Sequence, residues 1–512
     1  MKYTHKHSYL RFTRRHKLFT AVLFVLCFFC ALAFATPLHP AALHYTGTHQ
    51  LQLDQYLDGT GTTITSVCRS LTYKDGDPQM DYNWNASHKC FADTDLTLSD
   101  GLGGISPHAT SIGGILVGSD PNAYDPDNGD FYYFGAAPGA TVKISEFWRF
   151  ISNFTAADNP VETDVITMSV GVAFESWWTR RLELLASEQG TVIVAGIGNG
   201  KDVCEPQYYP AAGPNCIGVG VIDPADANSL DSSLIDFTLP SQAHSSIGPT
   251  SDGRCGVDIV APGNCLVPDA NSPTGYSRSG NWTSFAAPVV AGTISLLTQH
   301  VKSDEVLAPA IADDGGNCVM KAILLNSAKK LDNWHKGTPD PNDDTEYSLD
   351  FLQGAGALDA QTAFAQLNAG IQSPGKVSAT GWDSGKIERL QDAVKYYRFK
   401  LDETADYDIA VTLTWNRHYK SEYPYVADLK KDRDLRVELW ASDNGKPGTE
   451  KMIDYCDTVN DNIEHIYCKA EPGLNTYEIL VASNDDPLMK KGEEITSSPE
   501  TYALAWRVKK EK

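Results

Sequence analysis

Residues 280–292 read Gly280-Asn281-Trp282-Thr283-Ser284-Phe285-Ala286-Ala287-Pro288-Val289-Val290-Ala291-Gly292. The pattern predicts an apolar helix that begins beside the Ser284 hydroxyl, with small side chains close behind it. There the hydroxyl experiences the positive end of the helix dipole, and neighbouring backbone N–H groups can face an oxyanion. Pro288 is compatible with such a helix because first-turn amides have no intrahelical partner. Taken alone, Ser284 is more simply interpreted as an N-capping residue.

Two further segments change that interpretation. One reads Ser106-Pro107-His108-Ala109-Thr110-Ser111-Ile112-Gly113-Gly114 and places His108 before small residues that let a helix pack closely. The other reads Thr191-Val192-Ile193-Val194-Ala195-Gly196-Ile197-Gly198-Asn199-Gly200, an apolar strand that runs into Asn199. Each residue alone also has a structural interpretation, as a buried histidine or a turn asparagine. Together they supply a base, an oxyanion donor and a nucleophile in one chain.

These segments resemble the motifs of the subtilisin-like serine peptidases, the subtilase family. The resemblance places the nucleophile at Ser284, the base at His108 and the oxyanion donor at Asn199. Weaker matches follow the family's order over about residues 50–370: Ala137-Pro138-Gly139-Ala140, Asp164 to Gly171, Tyr209-Pro210-Ala211, Ser245 to Pro249, Asp258 to Gly263 and Gly354 to Leu358. Within them, Ser169, Val170 and Gly171 match the strand that pairs with substrate backbone.

The resemblance implies an α/β, three-layer subtilisin-like fold with a mostly parallel central sheet. The pattern of the chain agrees with it, because buried strands are predicted at 165–169, 191–195 and 216–222. A helix is predicted between the first two, at 177–188, as a βαβ unit requires. A second helix is predicted at 287–301, after Ser284.

Two positions depart from the family pattern. The first is Cys68, which follows a predicted strand at 61–67 where the family has the aspartate that orients the histidine. Loss of that carboxylate costs about 10⁴-fold in turnover in a serine peptidase triad. Four aspartates are candidates to replace it: Asp75, Asp77, Asp95 and Asp100. The second departure is Trp282, whose ring can narrow the cleft or stack on a substrate where the family has glycine.

Three interpretations of Cys68 remain open at the level of sequence. The favoured one is a disulfide with Cys90, which leaves His108 to another acceptor. The others are a thiolate bonded to His108 and a degenerate site without activity. Nine of the 11 cysteines lie beyond the N-terminal segment. Short spacings suggest the pairs Cys68–Cys90, Cys204–Cys216, Cys255–Cys265 and Cys456–Cys468, with Cys318 left over. No spacing indicates a structural zinc site.

The N-terminus predicts export. A basic segment at 2–17 precedes an uncharged apolar run at 18–35, which ends in Ala33-Phe34-Ala35. These are the three parts of a signal peptide. The apolar run is also long enough for an uncleaved anchor, the one case in which a membrane is expected as a partner. The predicted location is therefore secreted or extracytoplasmic.

Length and charge limit the other classes of function. The chain has 512 residues, more than one ordinary core accommodates, so at least two folded units are expected. Its net charge of −23 disfavours nucleic acid as a partner. We expect polypeptide substrates and a monomer.

The pattern of apolar and polar residues changes after about residue 368. A linker rich in small residues occupies 369–377, and short alternating runs over 378–512 predict an antiparallel β-sandwich. The predicted units are thus a signal peptide or anchor at 1–35, a short segment at 36–50, a peptidase domain at 51–368, the linker and the sandwich. The acidic turn at 457–464 offers carboxylates for Ca²⁺, but a solvated loop is the simpler interpretation. No cofactor is expected in catalysis.

The function that the sequence favours is a secreted serine endopeptidase that uses Ser284, His108 and Asn199. The alternative is a catalytically weak or inactive subtilase homologue that binds peptides or surfaces through the same groove. Cys68 is the main argument for the alternative.

Overall fold

The structure is a computed structural model that describes residues 38–70, 73–75, 77–99, 103–156, 161–224, 237–312, 315–339, 346–388, 393–402, 405–484 and 499–510. The predicted export segment and Asp100 lie outside these residues. Within the described ranges, no helix combines the length and the apolar character needed to cross a bilayer.

Nine α-helices lie in the described residues: α1 Ala42–Tyr45, α2 Thr48–Gln55, α3 Pro107–Val117, α4 Phe147–Ala156, α5 Trp177–Gln189, α6 Thr283–Ser303, α7 Ala308–Ala312, α8 Gly316–Ser327 and α9 Ala360–Asn368. Two short 3₁₀ helices occupy Lys89–Phe91 and Lys201–Val203. The strands of the first part are β1 Leu38–His39, β2 Thr63–Cys68, β3 Tyr73–Lys74, β4 Asp77–Pro78, β5 Asp81–Asn83, β6 Leu96–Leu98, β7 Gly104–Ile105, β8 Ser119–Asp125, β9 Gly129–Phe134, β10 Thr141–Glu146, β11 Val165–Met168, β12 Val192–Gly196, β13 Ile217–Pro224, β14 Phe237–Pro240, β15 Ile259–Pro262, β16 Leu266–Pro268 and β17 Tyr276–Arg278.

The central sheet has eight strands in the order β14-β13-β12-β11-β2-β10-β6, with β15 also paired to β13. All of its ladders are parallel except β13–β14. Strands β2, β11 and β12 lie side by side, so their carboxyl ends reach the same edge of the sheet. Parallel sheets need crossover helices, which lie on their faces.

Alternate residues of these strands enter two separate cores. In β12, Val192 and Val194 pack into the core that contains α3 and α6, whereas Ile193 and Ala195 pack into the core that contains α4 and α5. This alternation is the two-residue period of a strand that is buried on both faces. The predicted three-layer α/β fold is therefore present.

The last part of the chain forms a β-sandwich, as predicted, but its first strand lies inside the predicted linker at 369–377 and pairs with a sandwich strand. Its strands are β18 Gly375–Lys376, β19 Gly381–Ile387, β20 Val394–Lys400, β21 Tyr407–Trp415, β22 Leu435–Ser442, β23 Lys451–Cys456, β24 Ile463–Lys469, β25 Thr476–Ser483 and β26 Glu500–Lys510. One sheet has the order β18-β20-β25-β22-β23 and the other β19-β26-β21-β24. Side chains from both sheets form one buried cluster that includes Trp415, Leu439 and Trp506.

The sandwich is joined to the first part by a continuous core. Trp382, Ile463, Ala503 and Ala505 of the sandwich belong to the same buried cluster as residues of α6 and α8. Polar contacts add to it, because Asn326 of α8 donates from Nδ2 to Thr412 Oγ1 and to the Ala505 carbonyl, each at 3.0 Å.

Candidate active site

A cavity of about 450 Å³ lies at the edge of the central sheet where β2, β11 and β12 end. The sequence singled out His108, Asn199, Ser284 and the segment 169–171, and all of them line this one cavity. The remaining lining residues are Arg69, Gly196, Gly198, Glu205, Tyr208, Ser279, Trp282, Thr283 and Phe285. Residues separated by more than 170 positions in the chain are thus brought together.

Ser284 lies in the first turn of α6. Helix α6 begins at Thr283, four residues before the predicted start, and Ser284 is half-buried. Ser169 holds this turn against β11, since its Oγ donates to the Ser284 carbonyl oxygen at 2.7 Å. The β11 ladder ends at Met168, so residues 169–171 continue beyond the sheet along the cavity.

His108 lies in the first turn of α3. Ser106 caps this helix, because its Oγ accepts a hydrogen bond from the Ala109 amide at 3.1 Å, and Pro107 occupies the first helical position. The helix packs closely, and a Cβ on Gly113 would lie within 2.5 Å of the Trp84 ring. The Phe285 ring lies 5.7 Å from the imidazole, centroid to centroid.

No carboxylate of the described residues hydrogen-bonds to His108. Of the candidate replacements for the family's aspartate, Asp75, Asp77 and Asp95 are described and none is such a partner; Asp95 instead accepts from Thr141 Oγ1 at 2.8 Å. Burial lowers the pKa of His108 to about 4. The imidazole is therefore neutral at neutral pH and able to accept a proton.

Cys68 is buried and forms no disulfide, so the predicted Cys68–Cys90 bond is wrong. Its Sγ lies 3.6 Å from Ser66 Oγ, whereas Cys90 Sγ lies 3.1 Å from His88 Nδ1. The two thiols are directed to different neighbours. All nine described cysteines are free, so the other three predicted pairs are not formed either.

The thiolate interpretation of Cys68 also disagrees with the structure. Burial raises the pKa of this thiol to about 11, which keeps it neutral at neutral pH. Its side-chain hydrogen bonds are with Ser66 and Trp84 and not with His108.

Asn199 follows β12 in a loop shaped by two glycines. Gly198 has a φ of +119° and Gly200 a φ of +76°. A Cβ on Gly198 would lie 2.5 Å from the Pro206 carbonyl oxygen, so the turn requires glycine. Asn199 Oδ1 accepts two hydrogen bonds from Thr283, from the backbone N–H at 2.9 Å and from Oγ1 at 3.0 Å. The carboxamide Nδ2 is left to donate into the cavity.

Four polar residues of the cavity were missed from the sequence: Arg69, Glu205, Tyr208 and Ser279. Arg69 lies near an aromatic ring, 6.0 Å from the Phe147 centroid. Glu205 Oε2 accepts the Asn199 backbone N–H at 2.8 Å. Tyr208 precedes the Tyr209-Pro210-Ala211 motif directly, and this adjacency was the one available signal for it.

The three carboxylates of the acidic turn at 457–464 accept hydrogen bonds within the protein, Asp457 from Asn484 Nδ2 and Asp461 from the Cys255 backbone N–H. Glu464 is buried, and its Oε1 accepts from the Thr458 backbone N–H at 2.9 Å and from Thr458 Oγ1 at 2.8 Å. No group of three or more His, Cys, Asp or Glu side chains in the described ranges is placed to hold a metal ion.

Comparison with protein families gives a match to the subtilase family over residues 65–356. This range includes every candidate residue of the cavity and more than half of the chain. The chain belongs to the subtilase family. Membership supports peptidase chemistry on polypeptide substrates, and it accounts for the α/β fold and for the motifs around Ser284, His108 and Asn199.

Two curated relatives and one solved structure place this subtilase among known proteins. It is 28% identical to the membrane-bound transcription factor site-1 protease of Homo sapiens over 279 residues, which cover 53% of this chain and 22% of that protein. It is 27% identical to thermitase of Thermoactinomyces vulgaris, over 43% of this chain and 70% of thermitase. A serine protease of Aeromonas sobria aligns in structure over 88% of both chains, with 13% identity and a TM-score of 0.42. The match to the human protein spans about a fifth of its length.

Proposed function

We propose that this subtilase is a secreted serine endopeptidase. Its Ser284 Oγ attacks the scissile carbonyl while His108 takes the hydroxyl proton. Asn199 Nδ2 and the Ser284 backbone N–H stabilise the tetrahedral oxyanion. His108 then gives the proton to the leaving amine. In the second half of the reaction, His108 takes a proton from a water molecule as that water attacks the acyl-enzyme, and it then gives the proton to Ser284 Oγ as the acyl group leaves.

One observation carries the proposal: a single cavity is lined by Ser284, His108 and Asn199. The neutral state of His108 supports its role as a base. The orientation of the Asn199 carboxamide supports its role as a donor, because its oxygen is occupied by Thr283. The segment 169–171, which continues from β11 along the cavity, is proposed to pair with substrate backbone.

In the proposed organisation, residues 1–35 direct export, residues 51–368 carry the chemistry and residues 378–512 form the accompanying sandwich. Retention of the N-terminal segment as an anchor is the variant in which the enzyme acts at a membrane surface. Mass spectrometry of the mature N-terminus of the expressed protein distinguishes cleavage of the N-terminal segment from its retention as an anchor.

A fluorophosphonate probe tests the nucleophile. It phosphonylates an activated serine, so we expect labelling of the native protein at Ser284 and none in Ser284→Ala. Ser279→Ala is a matched control, because Ser279 lines the same cavity but its Oγ donates to the Gly263 carbonyl at 2.9 Å. That variant should label as the parent does. Labelling that moved to Ser279 would contradict the assignment.

The second candidate function is a weakly active or inactive homologue that binds peptides in the same cavity. The absence of a described carboxylate on His108 favours it, since the family's orienting group is missing. Folded protein that resists the probe but retains peptide affinity would establish this candidate over the first.

A further inference from the structure

A half-buried carboxylate lies inside the proposed active-site cavity without an ion-pair partner. Glu205 lines the cavity, and its Oε2 accepts the backbone N–H of Asn199 at 2.8 Å. Among the described residues, no cationic side chain forms a salt bridge with it. Besides the Asn199 N–H, this carboxylate has a side-chain hydrogen bond with the Tyr208 phenol, so both of its bonded partners are neutral. A carboxylate in a binding cavity whose bonded partners are neutral favours a cationic ligand group.

The loop that carries Glu205 is fixed on two sides. The Glu205 backbone N–H donates to the Gly200 carbonyl at 2.9 Å, and the Tyr208 N–H donates to the Ile197 carbonyl at 2.8 Å. Tyr209 and Val172 then exchange two backbone hydrogen bonds, at 2.8 and 3.0 Å. This pair ties the loop to the segment 169–171. The carboxylate therefore has a fixed position on the cavity wall, which binding selectivity requires.

Three of the fifteen residues that line the cavity are glycines, and two of them, Gly171 and Gly196, pack closely against their neighbours. A Cβ on Gly171 would lie 2.9 Å from the Tyr208 Cβ, and a Cβ on Gly196 would lie 2.9 Å from Thr283 Oγ1. The cavity volume of about 450 Å³ accommodates a long side chain. Tyr208 lies beside the carboxylate, and burial, followed by the charge of Glu205, raises the pKa of the phenol.

The position of Glu205 relative to the oxyanion donor fixes which substrate residue it meets. The proposed scissile carbonyl accepts from Asn199 Nδ2, and Glu205 is bonded to the backbone of that same residue. In the proposed binding mode, the substrate residue that supplies the carbonyl directs its own side chain to this part of the cavity. Arg69, the other charged residue of the lining, lies near the Phe147 ring.

We propose that Glu205 selects lysine or arginine immediately N-terminal to the cleaved bond. This inference rests on the proposed function for the orientation of the substrate. The selected side chain places its ammonium or guanidinium against the Glu205 carboxylate, while the backbone of the same residue places its carbonyl at Asn199.

Two measurements test this inference. The first compares kcat/KM for peptides that differ only at that residue, with lysine, leucine or glutamate. We expect kcat/KM to be highest for the lysine peptide, lower for the leucine peptide and lowest for the glutamate peptide. Glu205→Gln should lower the lysine-to-leucine ratio by about tenfold to a hundredfold, the usual range for a hydrogen bond to a charged group. The substituted amide keeps an oxygen to accept the Asn199 N–H.

Asp202→Asn is the matched control. Asp202 lies in the exposed 3₁₀ helix of the same loop, and its Oδ2 lies 3.6 Å from His244 Nε2. The variant changes the net charge by the same amount without altering the cavity lining. Its lysine-to-leucine ratio should equal that of the parent.

The second measurement is the affinity of Ser284→Ala for the same fluorescent peptides, read by anisotropy. It needs no catalysis, so it separates this inference from the proposed function. A parent protein without preference for lysine, in either assay, would overturn the inference. So would a preference that persists in Glu205→Gln. Failure of the fluorophosphonate to label Ser284 would overturn the proposed chemistry alone.

Discussion

The Asn199 side-chain oxygen accepts two hydrogen bonds from Thr283, the residue before Ser284. The loop after β12 and the start of α6 are therefore locked together at the point where the proposed oxyanion forms. Gly198 contributes a third contact, as its backbone N–H donates to Thr283 Oγ1 at 3.3 Å. An oxyanion donor is effective when it is oriented before the reaction.

Replacement of Asn199 by alanine should lower kcat by about 10²–10³-fold with little change in KM, the cost of losing one oxyanion donor in a serine peptidase. Steady-state kinetics on a peptide substrate measures both. Thr283→Val removes only one of the two hydrogen bonds that orient the Asn199 carboxamide, so it should lower kcat by a smaller factor. A decrease in kcat of less than tenfold in Asn199→Ala would mean that Asn199 shapes the turn but does not stabilise the oxyanion.

The pH dependence of kcat/KM should have its acidic limb near pH 4. His108 is proposed as the base, and burial lowers its pKa to about 4, so the ring remains neutral in mildly acidic solution. A free histidine would instead place the limb near about pH 6.5. A pH–rate profile from pH 3 to 8 distinguishes the two. A limb at the ordinary value would contradict the burial of the His108 ring.

Stability should also depend on His108 below neutral pH. The folded pKa is lower than the unfolded value, so the unfolded state binds the extra proton between about pH 6.5 and 4. The contribution of His108 is therefore complete above this window and decreases as the pH falls through it. Urea unfolding of the parent and of His108→Gln at pH 7 and pH 5 measures the difference. The variant should lose less stability on acidification, and equal losses would contradict the burial argument.

Alkylation should discriminate sharply between Cys204 and Cys68. Cys204 is exposed, whereas Cys68 is buried and its thiol pKa is raised to about 11. Iodoacetamide reacts with the accessible thiolate. Native protein should therefore be modified at Cys204, with Cys68 modified only after unfolding, as read by peptide mass spectrometry. Cys204→Ser provides the control. Rapid native modification of Cys68 would restore the thiolate interpretation.

Asn326 should contribute strongly to stability. Its carboxamide is fully buried, donates to Thr412 and Ala505 of the sandwich, and accepts from Gln366 Nε2 at 2.8 Å. Asn326→Ala leaves buried partners unsatisfied, which costs about 1–3 kcal/mol per group. Asn368→Ala removes an exposed asparagine and should change the free energy of unfolding by less than about 0.5 kcal/mol. Similar values for both variants, from denaturant titration, would contradict this account.

The sequence predicted regular elements best where local pattern and burial agree. The strand expected at 165–169 is present as β11, one residue shorter, because its apolar residues are buried on both faces of the central sheet. The helix after Ser284 was predicted from Ala287, whereas it begins at Thr283. The earlier start is fixed by Asn199, whose Oδ1 accepts a hydrogen bond from the Thr283 backbone N–H. Because Asn199 is distant in sequence, the local pattern around Thr283 could not predict this contact.

The polar details of the site were less predictable for the same reason. Sequence motifs identified His108, Asn199 and Ser284, but Glu205 belongs to no motif and reaches the cavity because its loop folds back on β12. Cys68 and Cys90 are close in sequence, and short spacing suggested a bond between them. In the structure each thiol is packed in a different environment, with Ser66 or with His88.

The core that Trp382, Ile463, Ala503 and Ala505 share with α6 and α8 has a consequence for evolution by recombination. A sandwich taken from another subtilase would bring side chains shaped for a different partner and would open voids in that common core. The two parts should therefore be inherited together and melt together. A calorimetric scan of the intact chain should give one endotherm, and chimaeras joined at residues 369–377 should melt at lower temperature than either parent.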